Sequence, residues 1–95
     1  MRESKIEKAV CDYAKVEGWL TYKFTSPGQK GVPDRIFMRG GEMFFIEFKA
    51  TGKSLRKLQD HMAIRIEKDG GFRVYRAPKS IEEGKSIIDG GVRNG

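Results

Sequence analysis

The hydrophobic pattern divides the chain into helical and extended segments in the order α-β-β-β-α-β, with a further helix near the end. Residues 3–17 predict a helix, because Ile6 and Val10 recur at helical spacing within a charged background. Residues 19–25 are aromatic and β-branched, which favours a strand. Residues 25–33 are rich in glycine and proline and predict a loop long enough to carry function.

Two strands, over residues 34–39 and 42–50, are predicted to form a hairpin around the double glycine Gly40-Gly41. The second strand has apolar side chains on both faces, which is typical of a central strand covered on two sides. On one face lie Phe44, Ile46 and Phe48, and on the other Met43, Phe45, Glu47 and Lys49.

The second half of the chain predicts a helix over residues 55–69, a strand over 72–76 and a last helix over 80–88. Ser54 is a suitable N-cap for the first of these helices, and Gly70-Gly71 ends it. The stripe expected on its inner face is Leu55, Leu58, Met62 and Ile66. One α/β domain over residues 1–88 follows, with 89–95 as a frayed tail.

The hairpin register predicts where two acidic side chains meet. Counting outward from Gly40-Gly41 places Asp34 opposite Glu47 on the same face, with Cβ atoms roughly 4.5–5.5 Å apart. Lys49 lies two residues beyond Glu47 and points to that face as well. Because two carboxylates at this distance repel, the arrangement predicts a cation between them.

A hard divalent cation such as Mg²⁺ prefers the oxygen ligands that this end of the hairpin offers. Asp34 and Glu47 supply carboxylates, and the backbone carbonyl of Phe48 is a candidate third ligand. A cation held there would bind a phosphate, acidify a water and stabilise the leaving oxygen. Lys49 would orient the attacking water. Hydrolysis at a scissile phosphate is the chemistry that this set supports.

A structural explanation competes with this one. Glu-x-Lys occurs three times in the chain, and a strand-end salt bridge or an ordinary Pro-Asp turn would need no cation. Only Glu47-Phe48-Lys49 follows an apolar strand and faces an aspartate in the hairpin register. That coincidence favours a functional site.

Charge and composition narrow the class of partner. Nineteen Lys and Arg against 13 Asp and Glu give a formal charge of +6, which indicates an anionic partner, nucleic acid before membrane. A lone cysteine, Cys11, excludes an internal disulfide framework and suits a reducing compartment. With no apolar stretch of membrane-spanning length and charged first residues, we expect a cytoplasmic protein.

The motifs resemble those of the PD-(D/E)XK nuclease superfamily, and more closely its VRR-NUC (virus-type replication-repair nuclease) branch. The similar features are Glu7 in the first helix, Gly31-x-Pro33-Asp34, Phe45-Ile46-Glu47-Phe48-Lys49 and Leu58-Gln59 in the next helix. The resemblance covers about residues 3–76. It implies a restriction-endonuclease-like fold, with a mixed central sheet flanked by helices.

The resemblance also implies metal-dependent cleavage of DNA. Asp34 and Glu47 would bind Mg²⁺ or Mn²⁺, and Lys49 would be the catalytic lysine. Gln59 would reach the water or the phosphate, and Glu7 would touch the metal or its waters. Small members of the branch resemble phage or bacterial proteins that act as homodimers on branched DNA, including four-way junctions. Glu7 has a competing explanation, a capping box with Ser4.

Several basic residues are candidate contacts to the DNA backbone. Cations at a helix start oppose the helix dipole by about 0.3–1 kcal/mol each, so a cluster there is best explained by a nearby anion. The candidates are Lys53, Arg56 and Lys57 at the helix start and Lys30 in the long loop. Together these features predict a structure-selective DNA endonuclease. A non-catalytic nucleic-acid-binding module of the same fold and a small interaction domain remain the alternatives.

Overall fold

A computed structural model describes residues 3–49 and 53–90 of the chain. The helices and strands follow one another in the predicted order, and a π-helical turn over Ile66–Gly70 follows the second α-helix. The elements are α1 (Glu3–Val16), β1 (Leu20–Lys23), β2 (Arg35–Arg39), β3 (Glu42–Glu47), α2 (Lys53–Arg65), β4 (Arg73–Arg76) and α3 (Ile81–Ile88).

Within these ranges the four strands form one sheet in the order β1-β2-β3-β4. The pairs β1–β2 and β2–β3 are antiparallel, whereas β3–β4 is parallel. A parallel pair requires a crossover connection, and α2 provides it. The predicted mixed sheet flanked by helices is therefore confirmed.

The turn at Gly40-Gly41 sets the register of the β2–β3 hairpin. Both glycines have positive φ, 56° and 83°, as a two-residue hairpin turn that matches strand twist requires. Arg39 pairs with Glu42 next to the turn, and Arg35 pairs with Ile46 at the far end. This is the predicted register, and its next step outward is Asp34 and Glu47.

Each face of the sheet carries its own hydrophobic cluster. The helices α1 and α3 cover one face, where Phe37, Ile46 and Phe48 are buried with Val10 of α1 and Ile87 of α3. The other face, under α2, has a smaller cluster formed by Phe45, Ala63 and Val74. Successive residues of β3 thus point into different clusters, which confirms that it is a central strand covered on both sides.

The predicted inner stripe of α2 needs correction. Leu58 is 42% exposed, whereas Ala63 is only 2% exposed and Ile66 packs beside it. The helix is therefore rotated relative to the predicted stripe, and Gln59, one turn before Ala63, lies on the inner side. The small Ala63 is buried against Phe45 and Val74 of the sheet, which a pattern based on large apolar residues does not reveal. Helix α2 begins at Lys53, so Ser54 lies inside the helix and is not its N-cap, and the side chain of Leu55 lies outside the described residues.

The end of the second helix also differs from the prediction. A regular α-helix was expected up to residue 69, but Ile66–Gly70 form a π-helical turn. Gly71 closes it with φ 78°, donating its N–H to the carbonyl of Ile66. The wider turn lets the chain enter β4 next to β3.

Helix α1 covers nearly the predicted range, but its predicted N-cap is wrong. It begins at Glu3, so Ser4 lies inside the helix and not at its N-cap. Its inner face is formed by Ile6, Val10 and Ala14, and it ends at Val16, one residue before the predicted end.

A glycine sets the distance between α1 and α3. A Cβ atom added at Gly84 would lie 2.2 Å from Cγ2 of Val10, far inside van der Waals contact. Val10 is fully buried and β-branched, so it has little rotamer freedom with which to withdraw.

We expect Gly84→Ala to lower the free energy of unfolding by about 1–3 kcal/mol because of overpacking against Val10. Val10→Ala leaves a cavity and is destabilising by itself. In the double variant the two defects offset each other, so its loss should be smaller than the sum of the single losses. Urea denaturation of all four proteins measures this coupling. Additive losses would show that the two residues do not press on each other.

Candidate active site

The acidic residues meet where β3 ends and β2 begins. Asp34 directly precedes β2, and its backbone carbonyl accepts the N–H of Phe24, which extends the β1–β2 pairing by one step. Glu47 is the last residue of β3. The Asp34 carboxyl is close enough to shift the pKa of Glu47, so the predicted meeting of these two side chains is observed.

Glu47 is a buried carboxyl whose two oxygens differ in their hydrogen bonding. Its side chain is only 5% exposed. Gln59 of α2 donates from Nε2 to Oε2 of Glu47 over 2.7 Å. The other oxygen, Oε1, is buried and has no hydrogen-bond partner in the described parts of the chain. A buried acceptor without a partner is costly, so this atom marks a place where a ligand would be stabilising.

The surroundings of Glu47 disfavour its charged form. Burial raises its pKa from 4.5 to about 9, and the neighbouring Asp34 carboxyl contributes in the same direction. Lys49 opposes this shift but does not cancel it. Near neutral pH, Glu47 therefore holds a proton unless a cation approaches it.

Asp34 is held by the backbone of the facing strand. Its Oδ2 accepts N–H groups from Phe48 at 2.8 Å and from Lys49 at 2.9 Å. These two bonds satisfy donors that lie just beyond the end of β3. They fix the Asp34 carboxyl against the Glu47-Phe48-Lys49 segment, so the predicted cluster is a bonded unit.

A pocket of about 340 Å³ opens at this end of the sheet. Its walls come from the long loop, the end of β3, the first two turns of α2 and the end of β4. The lining residues are Gly31, Pro33, Glu47, Lys49, Arg56, Gln59, Asp60, Val74, Arg76 and Ala77. The structure therefore brings predicted residues from three separate segments to one concave surface.

Glu7 occupies a different place from the other predicted site residues. Its carboxylate accepts from Nε of Arg35 at 2.8 Å, and both side chains are mostly buried. Arg35 pairs with Ile46 and shares its face, which is the α1 side of the sheet, whereas Glu47 points to the α2 side. The capping contact with Ser4 is replaced by this ion pair, and the role of Glu7 at a metal stays a prediction.

The candidate DNA contacts are distributed around the pocket. Arg56 lines it directly, and Lys57 is exposed on the same helix. Lys30 is exposed on the long loop, beside a second, shallower pocket formed by that loop and Leu58. Lys53 begins α2, but its side chain lies outside the described residues. These positions are compatible with contacts to the DNA backbone, and the contacts themselves stay predictions.

Two charged pocket residues were missed by sequence reasoning. Arg76 ends β4 and forms an ion pair with Asp60 of α2. Arg76 pairs with Glu47 in the parallel register. The order strand–helix–strand favours a parallel β3–β4 pair, whose carboxyl ends lie at the same edge of the sheet. The sequence therefore contained a signal that Arg76 lies near Glu47.

The long loop approaches α2 through a glycine. Gly31 has φ 90°, and a Cβ atom added there would lie 2.8 Å from both the carbonyl carbon and the oxygen of Leu58. Pro33, fully buried, follows two residues later. This contact fixes the loop against the helical turn that carries Gln59.

Comparison with known proteins agrees with this architecture. A solved structure described as a VRR_NUC domain superposes with a TM-score of 0.70, covering 92% of this chain and 94% of that one at 22% sequence identity. No family model matches the sequence. The chain therefore has the fold of a VRR-NUC domain, as the sequence motifs predicted.

A similar sequence is the "Putative nuclease p44" of Acyrthosiphon pisum secondary endosymbiont phage 1. The two are 43% identical over 54 residues, which is 56% of this chain. The aligned part spans 58% of that phage protein. This chain therefore combines the VRR-NUC fold with partial sequence similarity to a phage protein named as a nuclease. None of the helices in the described ranges is long and apolar enough to cross a membrane.

The buried carboxyl predicts how stability depends on pH. Because the pKa of Glu47 is about 9 in the folded protein and 4.5 in the unfolded chain, the folded state keeps a proton that the unfolded state loses. Without divalent ions, the free energy of unfolding should fall as pH rises from 5 to 9, by up to about 1.4 kcal/mol per pH unit.

Glu47→Gln removes this titration and should flatten that pH dependence. Glu82→Gln, at an exposed position in α3, is the matched control and should follow the wild-type curve. Urea denaturation in EDTA at several pH values measures all three. If the Glu47→Gln protein loses stability with pH as steeply as wild type, the buried proton is not on Glu47.

The close packing of Gly31 against α2 predicts that a larger residue at this position is destabilising. Gly31→Ala places a Cβ against the Leu58 backbone at a positive φ, so we expect a loss of about 1–3 kcal/mol in unfolding free energy. Gly28→Ala, in the same loop, meets no atom within 4 Å and is the matched control. Thermal unfolding compares the two variants. Equal melting temperatures would contradict the tight packing of the loop on α2.

Proposed function

We propose that this protein is a Mg²⁺- or Mn²⁺-dependent endodeoxyribonuclease that cuts phosphodiester bonds in branched DNA. The observation that carries the proposal is the unpartnered, buried Oε1 of Glu47 beside the Asp34 carboxyl, on the wall of a pocket that also holds Lys49. The fold and the phage relative support a nuclease. The dependence on a metal and the preference for branched DNA are what we propose beyond that.

The donor set fits a hard divalent cation. Asp34 and Glu47 offer carboxylate oxygens, and one of these is buried without a partner in the described ranges. Residues 3–49 and 53–90 contain no group of three or more acidic, His or Cys side chains arranged for a metal. Mg²⁺ is commonly held by one or two carboxylates together with waters and phosphate oxygens, so two suffice. The Phe48 carbonyl is the proposed third protein ligand.

The bound cation would neutralise charge on the phosphate and lower the pKa of a water. The protein side chains prepare the site for it. Gln59 holds Oε2 of Glu47, which leaves Oε1 free to bind. Asp34 is fixed by two backbone N–H groups, so its position costs no reordering during the reaction. Lys49, at the pocket wall, orients the attacking water with its ammonium group.

The DNA backbone would lie across the basic rim of the pocket. Arg56 is on the wall, and Lys30, Lys53 and Lys57 are the further proposed contacts. The formal charge of +6 favours binding of a polyanion. Preference for a four-way junction rests on the resemblance to small VRR-NUC proteins. Cutting both strands of a symmetric junction needs two sites related by a two-fold axis, so we propose a homodimer.

Asp34→Asn should abolish cleavage and retain DNA binding. The amide loses the negative charge that holds the cation, so we expect cleavage to slow by at least about 100-fold, while binding stays equal or tightens near phosphate. The measurement is cleavage of four-way, splayed and linear DNA in Mg²⁺ or Mn²⁺, with binding measured in parallel.

Asp12→Asn is the matched control, since Asp12 is a surface residue of α1 paired with Lys8. It should cut like wild type. Calorimetry with Mn²⁺ should show stoichiometric binding to wild type and none to Glu47→Gln. Cleavage that survives Asp34→Asn would refute the site. A wild-type protein that binds DNA without cutting it would instead identify a binding module.

A further inference from the structure

Arg76 lies next to the proposed metal ligand. It is paired with Glu47 in the parallel β3–β4 register, and both residues line the same pocket. Paired residues of neighbouring strands point to the same face of a sheet, so its guanidinium lies on the α2 side with the Glu47 carboxyl.

Asp60 fixes the direction of the Arg76 side chain. One guanidinium nitrogen, Nη1, donates to Oδ1 of Asp60, which follows Gln59 in α2. Consecutive residues of one helix thus hold the ends of two adjacent strands, with Gln59 bound to Glu47 and Asp60 bound to Arg76. A guanidinium has five N–H donors, and the Arg76 side chain is still 39% exposed, so donors remain for an anion.

The backbone after Arg76 is strained at the pocket wall. Ala77 has φ 44°, and it is the positive-φ residue other than glycine in the part of the chain that the structure describes. Its N–H donates to the carbonyl of Glu47 at 2.6 Å, so the strained residue is tied to the end of β3. Backbone strain of this kind persists where the surrounding structure enforces it, and it is concentrated at functional sites.

We propose that Arg76 binds a DNA phosphate next to the one that is cut, and that Asp60 is the positioning residue for it. This inference rests on the proposed nuclease function and adds a substrate contact to the same pocket. Arginine suits the task, because its fork of donors matches phosphate oxygens and Asp60 limits its motion before DNA arrives.

The test combines a protein change with a change in the DNA. Arg76→Gln removes the charge, and a methylphosphonate at a single position removes the charge of one phosphate. We expect Arg76→Gln to weaken binding or raise KM by about 10- to 100-fold. In wild type, one methylphosphonate flanking the cut should have a similar effect, and in Arg76→Gln the same substitution should cost nothing further.

Two controls separate this role from a structural one. Arg73→Gln changes the same residue type on the same strand, but Arg73 points to the other face and does not line the pocket, so it should leave KM unchanged. Asp60→Asn should raise KM while leaving kcat within a few-fold, and Arg76→Lys should restore part of the binding. Mn²⁺ binding by calorimetry should be unchanged in Arg76→Gln.

Failure of this inference can be distinguished from failure of the proposed function. If wild type cuts DNA and Arg76→Gln responds to every methylphosphonate as wild type does, the phosphate contact is refuted and the nuclease stands. If wild type binds DNA but cuts nothing in Mg²⁺ or Mn²⁺, the nuclease is refuted, and the binding measurements still decide the role of Arg76. If Arg73→Gln weakens binding as much as Arg76→Gln, the effect is general electrostatics and the inference is wrong.

Discussion

The site is organised around a carboxyl group that the fold buries without fully satisfying. Glu47 ends a central strand, so it lies between the sheet and α2, where its charge is poorly solvated. The protein provides one hydrogen bond from Gln59 and the backbone anchoring of Asp34, and it leaves one buried oxygen unpartnered among the described residues. Burial disfavours the charged form and therefore raises the pKa of Glu47. Binding of a proton or a cation offsets that cost.

Helix α2 joins the parts of the pocket together. Its small inner residue, Ala63, is buried with Phe45 and Val74 of the sheet, and the preceding turn places Gln59 over the end of β3. Asp60 reaches the end of β4 from the same turn, and Gly31 brings the long loop against the backbone of that turn. Displacement of this one helical turn would therefore disturb both strand ends and the loop, so the pocket depends on the packing of α2.

The hairpin and the acidic pair were predictable because their causes are local. Two glycines with positive φ set the turn, and strand pairing carries that register outward to Asp34 and Glu47. The inner face of α2 was not predictable by the same reasoning, since counting large apolar residues selected Leu58 over Ala63. The side of the sheet on which Glu7 lies was also undetermined, because a helix pattern does not state what its polar residues face.

The sequence alone determined the order of elements, the hairpin register, the fold class and the meeting of Asp34 with Glu47, because each follows from short-range periodicity or from motifs. Only the tertiary structure decided which distant residues meet: Arg35 takes Glu7 on the α1 side, whereas Arg76 and Asp60 join Glu47 on the α2 side. The physical reason is that the parallel β3–β4 pairing and the seating of α2 depend on how both faces of the sheet are packed, and no local pattern specifies that packing.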